Sequence, residues 1–114
     1  MANVFRSRHL SSVSNSSAQT IVTGAGSKQT IVIGLQLANK GASEIKATVT
    51  IGNNADSDTG DITLLHQVAV PKNSMVSVFV GDKVVMEASD TLKVLSDTAT
   101  ALDATASYLE IDNS

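Results

Sequence analysis

The chain has 114 residues, enough for one domain with a modest hydrophobic core. It contains no cysteine, which excludes disulfides and thiolate metal sites. Its formal net charge of -3 argues against a nucleic-acid-binding protein, because such proteins need clustered Lys and Arg. Only 17% of the residues are charged and 3% are aromatic, whereas 42% are hydrophobic. A surface this poor in charge is typical of proteins whose exterior is covered by neighbouring subunits.

The hydropathy pattern gives no indication of a membrane protein. No apolar run approaches the roughly 18 residues that a membrane helix needs. The first ten residues, 1–10, lack the apolar stretch of a secretory signal. We therefore expect a protein that is made in the cytoplasm and has neither a membrane nor a nucleic acid as its partner.

The first seventeen residues, 1–17, predict an extended N-terminal arm. Their apolar residues are isolated, and the polar run Ser11–Ser17 buries too little surface to offset the loss of backbone entropy. The functional interpretation is an arm that becomes ordered on a neighbouring subunit, with Phe5 as its anchor and its arginines meeting acidic patches. A frayed terminus is the alternative. The partner-binding residues predicted here are Val4, Phe5, Arg6, Arg8 and Leu10.

Residues 18–114 predict a single β-sandwich domain. Short alternating segments are separated by turn residues, and Gly24 and Gly26 are expected to permit a positive φ in the first turn. The predicted strands are 18–23, 30–39, 45–51, 61–70, 75–80, 83–87, 91–96 and 104–111. About eight strands spaced by roughly 8–12 residues indicate an all-β fold, either an immunoglobulin-like or a jelly-roll sandwich.

Strict alternation assigns the faces of the strand predicted over Thr30–Asn39. It places Ile31, Ile33, Leu35 and Leu37 on one face. The opposite face then carries smaller residues, which suit a position beneath another strand or chain.

The residues that could support catalysis are few. A hydrolytic triad needs a base held rigidly beside a nucleophile, and the only candidate bases are His9 and His66. His9 lies in the predicted arm, and His66 lies on a predicted strand with no Gly-x-Ser-x-Gly motif nearby. We therefore predict no catalytic residue, no cofactor and no enzymatic activity.

The loop Gly52–Asp61 carries the one candidate metal site. Asp56, Asp58 and Asp61 offer the oxygen ligands that calcium prefers. The spacing departs from an EF-hand, because Gly60 falls one residue early and no glutamate closes the loop. Asn, Asp and Gly also favour turns, so a solvated hairpin loop is the favoured interpretation and a cation site the alternative.

Five strand-and-turn segments of the chain form a familiar pattern: Met1–Phe5, Thr30–Asn39, Val68–Ser74, Val85–Asp90 and Ala106–Ile111. With these segments the chain resembles a group of small virion structural proteins of tailed phages, many from marine and cyanobacterial hosts. The resemblance spans nearly the whole chain apart from the Gly52–Asp61 loop. It implies a sandwich that forms part of a particle, and it carries no catalytic residues.

The resemblance implies a structural role in the virion. The leading hypothesis is a capsid decoration, or cement, protein that binds the major capsid protein as a homo-oligomer such as a trimer. A neck, collar or tail accessory protein is the structural alternative. A receptor- or glycan-binding module is the alternative of another class, although three aromatic residues offer little for a sugar-binding platform.

Overall fold

The protein is an all-β sandwich of two antiparallel sheets, which confirms the predicted fold class. The computed structural model describes residues 3–24, 26, 28–52, 61–79 and 83–112, without the side chains of residues 61 and 112. Within these ranges it has nine strands and no helix. The strands are β1 (Asn3–Leu10), β2 (Gln19–Thr23), β3 (Lys28–Asn39), β4 (Ile45–Gly52), β5 (Asp61–Val70), β6 (Met75–Ser77), β7 (Val84–Met86), β8 (Thr91–Ser96) and β9 (Leu102–Asp112).

The strand order identifies the sandwich as a jelly roll. Sheet A has the order β1-β9-β3-β6, and β7 pairs with β3 on the same side as β6. Sheet B has the order β2-β8-β4-β5. The pairing is nested, because β1 pairs with β9, β2 with β8, β3 with β6 and β7, and β4 with β5. A hairpin rolled up in this way is a jelly roll, whereas an immunoglobulin sandwich has a different strand order.

The core lies between the sheets and is built by alternating side chains. In β8, Leu92, Val94 and Ser96 are buried, and the residues between them are only partly buried. The fully buried large side chains are Val13, Val22, Val32, Leu35, Leu37, Ile45, Val49, Val70, Met86, Leu92, Val94 and Leu102. Burial of each such side chain stabilises the fold by roughly 1.5–3 kcal/mol, so the two inner faces hold the sheets together.

A β-bulge in β3 changes the predicted faces of this strand. Val32 lies opposite Tyr108 and Gly34 lies opposite Ser107, so Ile33 is an extra residue in the ladder. Thr30 and Val32 are buried before the bulge, and Leu35 and Leu37 are buried after it. The prediction that Ile31 and Ile33 share the buried face of the later leucines was therefore wrong, because the bulge reverses the alternation.

The segment predicted as an arm begins with a strand of the domain's own sheet. Asn3–Leu10 forms β1, which pairs antiparallel with β9 at eight consecutive positions. Seven of its eight side chains are nevertheless exposed, and only Leu10 packs against the core. The serine-rich segment that follows contributes Val13 to the core, and the Val13 amide donates to the Leu102 carbonyl oxygen at 2.7 Å. Backbone hydrogen bonds and one buried valine thus order a segment whose composition favours a flexible arm.

Candidate functional site

In the part of the chain that the structure describes, β1 is the longest strand edge without a register shift. Within the described ranges, β1 pairs only with β9, so the backbone groups along its other side have no strand partner. The remaining edges are short or irregular, because β2 has five residues and β6 and β7 have three each. The edge strand β5 is interrupted by register shifts, and Gln67 there has a φ of 53°. Short and bulged edges resist pairing with another chain, whereas an unbroken one accepts it.

The inner side of β1 carries a charge cluster. Arg6 Nε donates to Glu110 Oε1 at 2.6 Å, and Lys28 Nζ lies 3.9 Å from the same oxygen. The side chain of Glu110 is only 11% exposed, whereas that of Arg6 is 49% exposed. The two cations compensate a carboxylate that would otherwise be costly to bury. The guanidinium of Arg6 remains accessible to a second anion.

Arg8 extends this cluster along the strand. Its Nε donates to the Tyr108 hydroxyl at 3.3 Å, and this bond raises the pKa of Arg8 above its usual value. Tyr108 is buried on the inner face of sheet A, beside the edge strand β1. An open cleft of about 340 Å³ is lined here by Phe5, Arg6, Ser7, Arg8 and Tyr108. The cleft thus places two guanidinium groups beside an unpaired strand edge.

The outer face of sheet A carries an apolar row, which we define as Phe5, Leu109, Ile31 and Val85. Each is the direct cross-strand neighbour of the next, on β1, β9, β3 and β7 in turn. Phe5 is 74% exposed and Val85 is 55% exposed, so both ends of the row are open to solvent. Leu109 and Ile31 between them are partly buried, so the row is a continuous apolar strip whose exposed ends suit contact with another protein.

The five residues predicted to bind a partner lie on one strand but on two faces. The register with β9 places Phe5 on the outer face and the other four on the inner face. Val4 is 39% exposed, but Leu10 packs against the protein's own core. Glu110 and Tyr108, the intramolecular partners of the two arginines, were not identified from the sequence. The sequence signal for Glu110 is a glutamate on the otherwise apolar face formed by Leu102, Ala104, Ala106 and Tyr108 of β9.

The two histidines are on different sheets. His9 lies on the outer face of β1, with its Nδ1 3.3 Å from Thr105 Oγ1. His66 is exposed on β5 in sheet B. The absence of catalysis stays a prediction.

The loop for which a cation site was the alternative interpretation lies, at residues 53–60, outside the residues described. This applies to Asp56, Asp58 and the side chain of Asp61, whose backbone begins β5. Elsewhere, in the described part of the chain, no three His, Cys, Asp or Glu side chains are close enough to hold a metal ion. No helix within that part has the length and hydropathy to cross a membrane.

Comparison with solved structures supports the sandwich fold. A subunit of the Bacillus endospore appendages, described as a novel family of disulfide-linked pili, superposes with a TM-score of 0.59 at 13% identity, covering 98% of this chain and 89% of that one. The Eiger TNF of S. frugiperda gives 0.49 at 13% identity, covering 96% and 94%. A Clostridium thermocellum xylanase with a CBM22 module gives 0.41 at 11% identity, covering 91% of this chain but 25% of that one. No family model and no curated protein matches the sequence.

Proposed function

We propose that this protein is a structural subunit that works by packing against other protein subunits, as a capsid-decorating protein of a tailed phage. The observation that carries the proposal is the apolar row, which crosses all of sheet A and ends in the exposed Phe5 on an unpaired strand edge. The position on a capsid rests on the resemblance to small virion proteins.

The fold comparison supports a role in assembly. A protein of similar fold builds the Bacillus appendages that are described as disulfide-linked pili. This chain has no cysteine, so a disulfide cannot link its own subunits. We therefore propose that its contacts in an assembly depend on buried surface and charge rather than on disulfides.

The mechanism of decoration is thermodynamic. A subunit that binds the closed shell and not the separated capsomers adds its binding free energy to the stability of the shell. Neighbouring capsomers can then separate under internal pressure only if this binding free energy is also overcome. A homo-oligomer such as a trimer would bridge several capsid subunits at once and increase the effect through multivalency.

The test is the number of copies of this protein in purified particles, measured by quantitative mass spectrometry. Hundreds of copies on the shell support decoration, whereas about a dozen support the neck, collar or tail alternative. Absence from particles, with binding of the isolated domain to host surface glycans, contradicts the proposal and supports a receptor-binding module.

Two matched variants test the surface. Phe5→Ser removes the most exposed apolar side chain of the row, and we expect lower occupancy on particles with unchanged stability. Ile62→Ser is the control, because Ile62 is 43% exposed on β5 of sheet B. Loss of occupancy in Ile62→Ser alone would show that sheet B is the docking face.

A further inference from the structure

The edge of β1 has the chemistry to select a particular partner strand. Its free side offers backbone donors and acceptors along eight residues without a bulge. An extended segment of another chain can add to such an edge through main-chain hydrogen bonds, and the side chains along the edge then determine which segment is accepted.

The strand β9 already pairs with β1, and its side chains show which residue types fit beside β1. On the inner face, Arg6 is bonded to Glu110 of β9. On the outer face, Phe5 lies directly opposite Leu109 of β9. β1 is thus matched on its covered side by a strand in which an acidic residue follows an apolar one.

The charges at the open side favour the same pattern. Among the described side chains here, Arg6, Arg8 and Lys28 contribute three positive charges and Glu110 one negative charge, so these four sum to +2 in a chain of net charge -3. Residues of an added strand that point inward would lie beside the arginines, and those that point outward would lie beside Phe5. Cross-strand pairs of opposite charge stabilise a sheet, and like charges destabilise it.

A second copy of β1 is disfavoured at this edge. When two β1 strands pair antiparallel in the registers of greatest overlap, with the outer faces of both sheets on one side, Arg6 and Arg8 each meet an arginine of the other copy, directly or diagonally. Inward-pointing charges of this kind prevent edges from associating with themselves. Protection alone does not explain Phe5, because an exposed aromatic side chain at a strand edge promotes association.

We infer that β1 is the docking strand for an extended segment of a partner protein in which acidic and apolar side chains alternate. The carboxylates of this segment reach Arg6 and Arg8, and its apolar side chains lengthen the apolar row beyond Phe5. The inference rests on the proposed function and names the partner chemistry of that same surface.

The experiment is a titration of the full chain, labelled with ¹⁵N, with two capped eight-residue peptides. One peptide has four Leu-Glu repeats and the other has four Leu-Lys repeats. We expect the acidic peptide to bind, to slow hydrogen exchange of the β1 amides and to bind more weakly as salt is raised. The basic peptide is expected not to bind.

Charge variants show whether the arginines select the peptide. Arg8→Glu reverses an exposed charge on the edge and should weaken binding of the acidic peptide about tenfold. Arg8→Gln should weaken binding less and serves if the reversed charge disturbs folding, which circular dichroism would report. Lys72→Glu makes the same charge change in the exposed turn after β5 and should alter binding less than about twofold.

Three outcomes would overturn the inference: equal binding of both peptides, no binding of either, or protection of the β5 amides instead of β1. If the protein still decorates particles in these cases, the proposed function stands and only the choice of partner strand is wrong. If the acidic peptide binds β1 but the protein is absent from particles, the proposed function fails and the docking strand stands.

Discussion

Two valines near the N-terminus show how differently the same side chain contributes to this fold. Val4 lies on β1 with 39% of its surface exposed. Val13 lies in the serine-rich segment after β1 and is fully buried, and its amide is bonded to Leu102. The composition around Val13 favours a flexible linker, because six of the seven residues in 11–17 are polar. Only the tertiary structure reveals that one apolar side chain is enough to anchor it.

We expect Val13→Ala to lower the free energy of unfolding by about 2 kcal/mol, since it removes two buried methyl groups and leaves a cavity. Val4→Ala is the matched control and should change stability by less than about 0.5 kcal/mol. Urea denaturation followed by Tyr108 fluorescence measures both, because Tyr108 is the single tyrosine and the chain has no tryptophan. Equal effects in the two variants would contradict the anchoring role of Val13.

The carboxylate of Asp103 also stabilises the position of the serine-rich segment after β1. Its Oδ1 accepts the Ser12 amide at 2.8 Å and the Lys40 ammonium at 2.9 Å. The Ser12 bond first, and then Lys40, hold the pKa of Asp103 below its usual range. A group with a lowered folded pKa stabilises the fold above its unfolded pKa of about 3.9, and this contribution is lost as the pH falls toward the folded value.

The Asp103→Asn variant should therefore be less stable than the wild type near pH 6. The difference in unfolding free energy should shrink as the pH falls from about 5 to 3, because the wild-type carboxyl becomes protonated. Urea denaturation at a series of pH values measures it. A difference that stays constant over this range would show that the Asp103 charge does not contribute.

At the scale of the elements, the sequence predicts most strands because they alternate buried and exposed residues. The boundaries of β5 and β8 match the prediction at both ends. β1 escapes prediction because neither of its faces is continuously apolar, and the β3 bulge escapes it because alternation does not reveal where an extra residue enters. The arginines and Phe5 of the site were identified from the sequence. Glu110 was not, because it lies 104 residues from Arg6 along the chain.

The connection after β2 depends on Gly24 for space rather than for a positive φ, which corrects the expectation from the sequence. A Cβ at Gly24 would overlap the carbonyl oxygen of Glu87, whereas one at Gly26 would meet nothing within 4 Å. The Gly24 amide also donates to the Asp90 carbonyl oxygen at 2.8 Å, and its carbonyl accepts from Ser89 at 3.0 Å. Gly24 therefore joins the end of β2 to the turn between β7 and β8.

Gly24→Ala should lower the free energy of unfolding by about 1–3 kcal/mol, because the backbone of this turn has to shift to admit a methyl group. Gly26→Ala is the control and should be close to neutral. Thermal or urea denaturation compares them. An unchanged free energy of unfolding in Gly24→Ala would mean that the turn accommodates the methyl group without loss of stability.

At the scale of the whole molecule, the nested strand pairing predicts that the sandwich can fold without β1. β1 is an edge strand, and apart from Leu10 its side chains lie outside the core. Deletion of residues 1–10 should leave a folded sandwich that is less stable by at least about 2 kcal/mol, through loss of the packing of Leu10 and of the Arg6–Glu110 ion pair. The truncated protein should also lose particle binding. A ¹⁵N spectrum reports folding, and full occupancy on particles would contradict the role of β1.

The pairing of the first strand with the last sets the order in which the molecule is completed. Among the nine described strands, β1 is synthesised before the others, whereas β9, with which it pairs, is synthesised last. At a synthesis rate of about 5–20 residues per second, roughly 5–20 s pass between the synthesis of β1 and that of β9. A nascent or prematurely terminated polypeptide consequently lacks the Arg6–Glu110 bond and an ordered β1, and only a chain synthesised through β9 acquires them.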